Sequence, residues 1–192
     1  MKRCFIAVDL PDETRTRLVR LQQGLRRLPR AAARRLRISP TTNLHVTVQF
    51  LGATPEDQVD AIVAALRAVA CRHPPITATL SGVGAFPNPD RPRVLFAAVG
   101  AGHQGLVTLA RDVEHACAAL GFPGEDRPYE PHVTLAKAEA PRASGPLTDW
   151  LTAHGDEALG PVDGRTLTLY ESALGPQGSI YTALARLSLG EP

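Results

Sequence analysis

Two stretches of the chain repeat one pattern: NLHVTVQF at 43–50 and EPHVTLAK at 130–137. Each sets a histidine and a threonine two residues apart among apolar neighbours. On a β-strand, residues two apart share a face and lie about 7 Å apart. His45 and Thr47 therefore share one face, and His132 and Thr134 share another. By the same parity Val46, Val48 and Phe50 take the opposite face of the first strand, as Val133 and Leu135 do in the second.

An imidazole beside a hydroxyl is costly to bury without partners, and if both pairs faced one cleft the site would hold two acid/base groups and two hydroxyl donors. The ordinary histidine pKa of about 6.5 allows one ring to work neutral and its twin protonated near neutral pH. The first can take a proton from water and the second can give one to a departing oxygen. Threonine hydroxyls can hold the non-bridging oxygens of a phosphate. With no Ser or Cys nucleophile beside these histidines, in-line hydrolysis of a phosphodiester fits better than acyl transfer. A single such motif is weak, since strands favour threonine and many histidines are structural. Two copies in matching strand contexts are far stronger.

The elements that must position these pairs follow from patterning. RCFIAVDL reads as a strand, closed by Pro11, with Asp12 and Glu13 at the positive end of a helix whose stripe is Leu18, Leu21, Leu25 and Leu28. Pro29 ends that helix. LHVTVQFLG is a strand stopped by Gly52, and Thr54 is the expected N-cap of the next helix, with Pro55 at its first position. ITATLSGVGAF and RVLFAAVG are strands around the breaker-rich loop PNPDRP, followed by a helix from about Gln104 to Leu120. After PHVTLAKA come a Pro/Gly-rich stretch, a short helix near Trp150, and two strands joined by GPQGS, which has hairpin composition. The strands are short and alternating, which favours antiparallel pairing with one face covered. The order of elements looks duplicated. The expected architecture is α+β: a single bilobal domain over residues 1–192, with two similar lobes of antiparallel sheet.

Composition bounds the function. The 192 residues are 44% hydrophobic, enough for a real core. No apolar run is long enough to span a bilayer, so no membrane partner is expected. The opening MKRCFIAVDLPDE is too short and too soon acidic for a signal peptide, which makes the cytoplasm the expected compartment. Cys4, Cys71 and Cys117 are isolated, and no histidine spacing fits a metal site. His115 and Cys117 are two apart on a helix and do not share a face. Neither a metal nor a cofactor is expected. Between Thr14 and Pro55 there is no acidic residue, while nine arginines fall there: Arg15, Arg17, Arg20, Arg26, Arg27, Arg30, Arg34, Arg35 and Arg37. Against a net charge of +2, those nine positives leave −7 for the rest of the chain. Such asymmetry suits an anionic partner, or a solvated helix face in a chain with only two lysines, Lys2 and Lys137.

Over almost its whole length the chain resembles the two-histidine (2H) phosphoesterases, and within them the RNA 2′,3′-cyclic phosphodiesterases, also called 2′-5′ RNA ligases. The phrases that carry the resemblance are RCFIAVDLP, TTNLHVTVQFLG, GVGAFPNPDRPRVLFAAV, GFPGEDRPYEPHVTLAKA and LYESALGPQGSIYTAL. The resemblance implies two lobes of antiparallel sheet with helices outside around a V-shaped central cleft, each lobe giving one HxT. It also implies hydrolysis of the 2′,3′-cyclic phosphate of RNA ends to a 2′-phosphate, with weak reverse ligation. It makes His45 and His132 the acid/base pair and Thr47 and Thr134 the phosphate holders. The initial assignment takes His132 as base and His45 as acid, with the swapped roles open. The implied partner is RNA with a 2′,3′-cyclic phosphate end, tRNA fragments included, or a cyclic nucleotide, met by a monomer.

One position departs from the family pattern. An arginine usually stands five residues after the second histidine; here it is Lys137, which keeps the charge and loses the planar fork. Strand parity also sets Lys137 opposite to His132, so it reaches the cleft only if the strand bends or ends. Arg127 is a candidate to compensate, or a loop charge. Phe5 and Tyr129 are candidate surfaces for stacking a base, with core packing the competing role for Phe5. Two alternatives stay open: a phosphodiesterase for a small cyclic-phosphate metabolite, and a non-catalytic nucleotide- or RNA-binding module.

Overall fold

The alternation in the first strand decides which face of the sheet becomes core. In β1 (Lys2–Asp9), Cys4, Ile6 and Val8 join the hydrophobic core, while Phe5, Ala7 and Asp9 occupy the other face. The computed structural model describes residues 1–139, 145–176 and 178–191. The remaining elements are α1 (Asp12–Arg26), α2 (Arg30–Ala33), β2 (Leu36–Ile38), β3 (His45–Thr54), α3 (Val59–Ala70), β4 (Ile76–Phe86), β5 (Val94–Val99), α4 (His103–Ala118), β6 (His132–Ala138), α5 (Gly145–Ala153), β7 (Ala158–Gly164), β8 (Thr166–Gly175) and β9 (Gly178–Ser188).

The strands form one antiparallel sheet in the order β7-β4-β5-β6-β3-β1-β8-β9, with β2 added to β6. That order is symmetric about the β6/β3 junction. Exchanging β3 with β6, β1 with β5, β8 with β4 and β9 with β7 maps one half onto the other. The expected two lobes are these two halves, and a single residue pair, Val46 with Val133, joins them.

Helices cover the core face. Leu18, Leu21 and Leu25 of α1 and Leu106, Leu109 and Val113 of α4 are buried, and each fully buried leucine contributes about 1.5–3 kcal/mol. α1 packs on β6 and β7, whereas α4 packs on β3 and β4. The helices thus brace the junction from behind and leave the other face free.

Several sequence expectations are corrected by the structure. α1 stops at Arg26, and Leu28 packs against the core from outside it. β3 runs through Gly52, which takes a positive φ of 68°, and Thr54 ends the strand by donating to the Gly52 carbonyl at 3.2 Å instead of capping α3. β2 and β7 were not expected as strands. β7 carries Pro161, which an edge strand tolerates because it needs no donor on its outer side. Part of the Pro/Gly-rich stretch, residues 140–144, lies outside the described residues, as does Gln177 of the last turn.

Candidate active site

β3 and β6 meet with Val46 opposite Val133 in antiparallel register. That register sets His45 against Thr134 and Thr47 against His132. The two HxT pairs thus become one quartet about the local two-fold axis. All four side chains are half-buried, on the face that the helices leave open.

Each histidine is held in a similar way. His132 Nδ1 donates to the Glu130 carbonyl at 2.7 Å, which fixes the ring and leaves Nε2 for chemistry. The backbone of Asn43, also two residues upstream, faces the His45 ring and favours its protonated form. His45 Nε2 lies 3.0 Å from Thr47 Oγ1; with Nε2 unprotonated, the hydroxyl donates. Aromatic rings cushion both. Phe5 stacks on His45 at 4.9 Å and Tyr181 meets it edge-on at 5.5 Å, while Phe86 and Phe96 meet His132 edge-on at 5.1 and 5.4 Å. Tyr181 is on β9, three strands from β3, so the sheet curls enough to bring the last hairpin over the first histidine. Asn43 Nδ2, donating to the Ser179 carbonyl at 2.7 Å, ties down the same fold-over.

Burial pushes the His45 pKa down to about 4. The Arg15 and His132 charges also lower it, and the nearby Asp9 carboxylate partly opposes them. Asp9 is the cross-strand partner of His45, and it accepts hydrogen bonds from Thr168 Oγ1 at 2.9 Å and Tyr170 Oη at 2.6 Å. Arg15 acts structurally as well: its guanidinium donates to the carbonyls of Leu44 at 2.9 Å and Thr41 at 3.0 Å, clamping the turn before His45.

The parity expected at Phe50 and Lys137 is overturned. A β-bulge follows each HxT, so that two residues of the motif strand occupy one step of its neighbour. In β6, His132, Thr134 and Lys137 pair with Ala98, Phe96 and Val94, which are two apart in the regular strand β5 and so share a face. In β3, His45, Thr47 and Phe50 pair with Asp9, Ala7 and Phe5 in the same manner. Lys137 and Phe50 therefore stand on the histidine face, while Gln49 and Ala136 turn into the interior. The bulge of β6 is anchored, since the Leu135 carbonyl accepts from the Ser39 amide and from Gln22 Nε2, each at 2.9 Å.

The other candidates divide. Phe5 is buried, so its ring supports His45 and does not lie open to a base. Tyr129 donates its hydroxyl to the Thr47 carbonyl at 2.8 Å, and burial raises its pKa. Arg127 is exposed in the loop beside Glu125 at 3.3 Å. Asp9, Phe86, Phe96 and Tyr181 join the site beyond the residues expected from the sequence. Asp9 alone carried a signal, as a polar residue in register with Phe5 and Ala7. Among the described residues no group of three His, Cys, Asp or Glu could hold a metal ion, and no helix is long and apolar enough to cross a membrane.

The pattern of the LigT like Phosphoesterase family matches residues 8–96. The chain is 34% identical to an RNA 2′,3′-cyclic phosphodiesterase of Thermus thermophilus, across 97% of this chain and 90% of that protein. It is 30% identical to the Escherichia coli protein of the same description, across 98% and 97%. The crystal structure of E. coli LigT complexed with 3′-AMP superposes with a TM-score of 0.79 at 26% identity, covering 98% of both chains. With the duplicated HxT strands and the curled sheet that joins them, these likenesses show that the chain belongs to the RNA 2′,3′-cyclic phosphodiesterase family of two-histidine phosphoesterases.

Proposed function

We propose that this chain hydrolyses 2′,3′-cyclic phosphate ends of RNA to 2′-phosphate ends, without a metal, and catalyses the reverse 2′-5′ joining weakly. The observation that carries this reading is the quartet: two imidazoles and two hydroxyls converging about one axis, as an in-line displacement at phosphorus requires. Thr134 and Thr47 hold the non-bridging oxygens, the Thr47 hydroxyl turning from His45 Nε2 to the phosphate when substrate is bound. His45, kept neutral by burial, takes a proton from the attacking water as its oxygen bonds to phosphorus. His132, anchored through Nδ1, gives the proton on Nε2 to the 3′ oxygen as the P–O3′ bond breaks. The products are a 2′-phosphate and a 3′-hydroxyl, and exchange with solvent resets both rings. The opposite assignment, His132 as base and His45 as acid, is the second reading, and the pH profile of Asp9→Asn separates the two.

The test is hydrolysis of an RNA ending in a 2′,3′-cyclic phosphate in excess chelator, with identification of the product phosphate. Wild type is expected to give the 2′-phosphate, and His45→Ala and His132→Ala to lose turnover. Chelator inhibition, or full activity in His45→Ala, would sink the reading. A small cyclic nucleotide as the true substrate would show as a weak dependence on salt, where RNA gripped by several cations loses affinity steeply. The exposed Arg34, Arg35 and Arg37, in the segment that leads into β2 and forms it beside β6, support the RNA reading.

A further inference from the structure

The row of the sheet that holds Lys137 continues onto the added strand. Val94 of β5, Lys137 of β6 and Arg37 of β2 are successive cross-strand partners. Directly opposed residues share a face, so Arg37 stands with Lys137 on the side of His132 and Thr134. The neighbours of Arg37 agree with this, because Leu36 and Ile38 pack against the core on the opposite side. β2 pairs with β6 alone, which leaves the outer flank of Arg37 open, and its side chain is 76% exposed.

Two like charges set directly opposite each other disfavour the strand pairing that holds them. An anion lying across both reverses that penalty. The internal anion nearby is Glu139, whose Oε1 is 3.5 Å from Arg37 Nε; both side chains are largely exposed, and so weak a pair is readily displaced. The corresponding position in the other half holds Phe50, followed across the row by Phe5 and then Tyr170, with no cation among them. The cleft is therefore polar in a directional sense, with a cationic ledge leading away from the quartet on one side and an aromatic row on the other.

We propose that Arg37 and Lys137 together grip the phosphodiester on the 5′ side of the terminal nucleotide, making Arg37 a residue that favours RNA ends over free cyclic mononucleotides. This rests on reading the quartet as a cyclic phosphodiesterase site. The quartet already supplies two hydroxyls and two imidazoles to the cyclic phosphate. Lys137 lies two residues of β5 beyond the Thr134 step, roughly 7 Å, and Arg37 a further strand away, about 4.8 Å. The ledge is thus displaced from the cyclic phosphate toward the next anionic group of a chain. A mononucleotide has no second phosphate to place there, and an RNA end always has one.

The test compares kcat/KM on 2′,3′-cyclic AMP with that on adenylyl-adenosine 2′,3′-cyclic phosphate, for wild type, Arg37→Gln, Arg37→Lys and Glu139→Gln. The dinucleotide-to-mononucleotide ratio is expected to fall on the order of tenfold in Arg37→Gln, as for a lost charge-assisted contact, and less in Arg37→Lys. Glu139→Gln, which frees Arg37, is expected to hold or raise the ratio. An Arg37→Gln effect equal on both substrates, or absent on both, overturns the proposal. So does a fall of the same size in Glu139→Gln, which would assign the effect to the lost ion pair. If wild type turns over neither substrate, the cyclic phosphodiesterase reading fails first; turnover with an unaltered ratio overturns the ledge alone.

Discussion

Phe50 and Lys137 are equivalent residues, each five positions after its histidine and each turned onto the histidine face by a bulge. The duplication preserved the backbone device and changed the chemistry it presents. Lys137 offers a mobile point charge where the family pattern has a planar fork. Replacing it with alanine is expected to lower kcat/KM on cyclic-ended RNA about tenfold, the weight of one charge-assisted hydrogen bond. Lys137→Arg is expected to keep wild-type turnover or exceed it. Steady-state kinetics on a cyclic-ended dinucleotide checks both, and unchanged turnover in the alanine variant would show that the bulge serves packing alone.

Gln22 links the core helix to that bulge. It is buried in α1, and its amide donates to the carbonyls of Ser39 and Leu135. Gln22→Leu keeps the apolar volume and strips both carbonyls of a donor. The expected cost is about 1–3 kcal/mol, read as a lower urea midpoint with unchanged slope. Turnover should fall more than the small change in folded fraction explains, because the Leu135 bulge sets where Lys137 stands.

Gly84 of β4 makes room for a ring that supports His132. A Cβ there would lie 2.6 Å from Phe96 Cζ, and Phe96 stacks on Phe86 at 4.2 Å and meets His132 edge-on. Gly84→Ala must push the ring aside, an overpacking cost of about 1–3 kcal/mol. Thermal melting should report that loss. The reaction should slow by the displacement of His132, and Gly84→Ala combined with Phe96→Leu should recover part of both.

Parity of two was enough to place His45 with Thr47 and His132 with Thr134, because the strands are regular through the motifs. It failed three residues later, at Phe50 and Lys137. A bulge adds one residue and inverts the faces, and neither VQF nor LAK contains the glycine that would betray it. The duplicated halves were legible in the order of elements, but the closeness of the two motifs was not. That depends on a junction of one residue pair between segments 87 positions apart. β7 was hidden by Pro161, and β2 by its three-residue length. Asp9 read as the end of a strand, since only the fold brings Thr168 and Tyr170 to its carboxylate.

The Asp9 carboxylate also tunes the protonation of His45. Burial lowers the His45 pKa to about 4, and the Asp9 charge works in the opposite sense. Removing the charge by Asp9→Asn is therefore expected to lower the pKa further. A free imidazole near 6.5 in the unfolded chain binds a proton before the folded one does, so folding stability rises with pH in that interval. The contribution is complete above about 6.5 and is lost progressively as pH falls toward about 4. Asp9→Asn should widen that window at its acid end. If His45 is the base, the acid limb of the kcat/KM profile for wild type falls near its folded pKa and moves to lower pH in Asp9→Asn. NMR titration of the His45 ring measures the same shift without turnover. A limb that stays in place while the ring titration moves would assign the base to His132 and leave His45 as its partner.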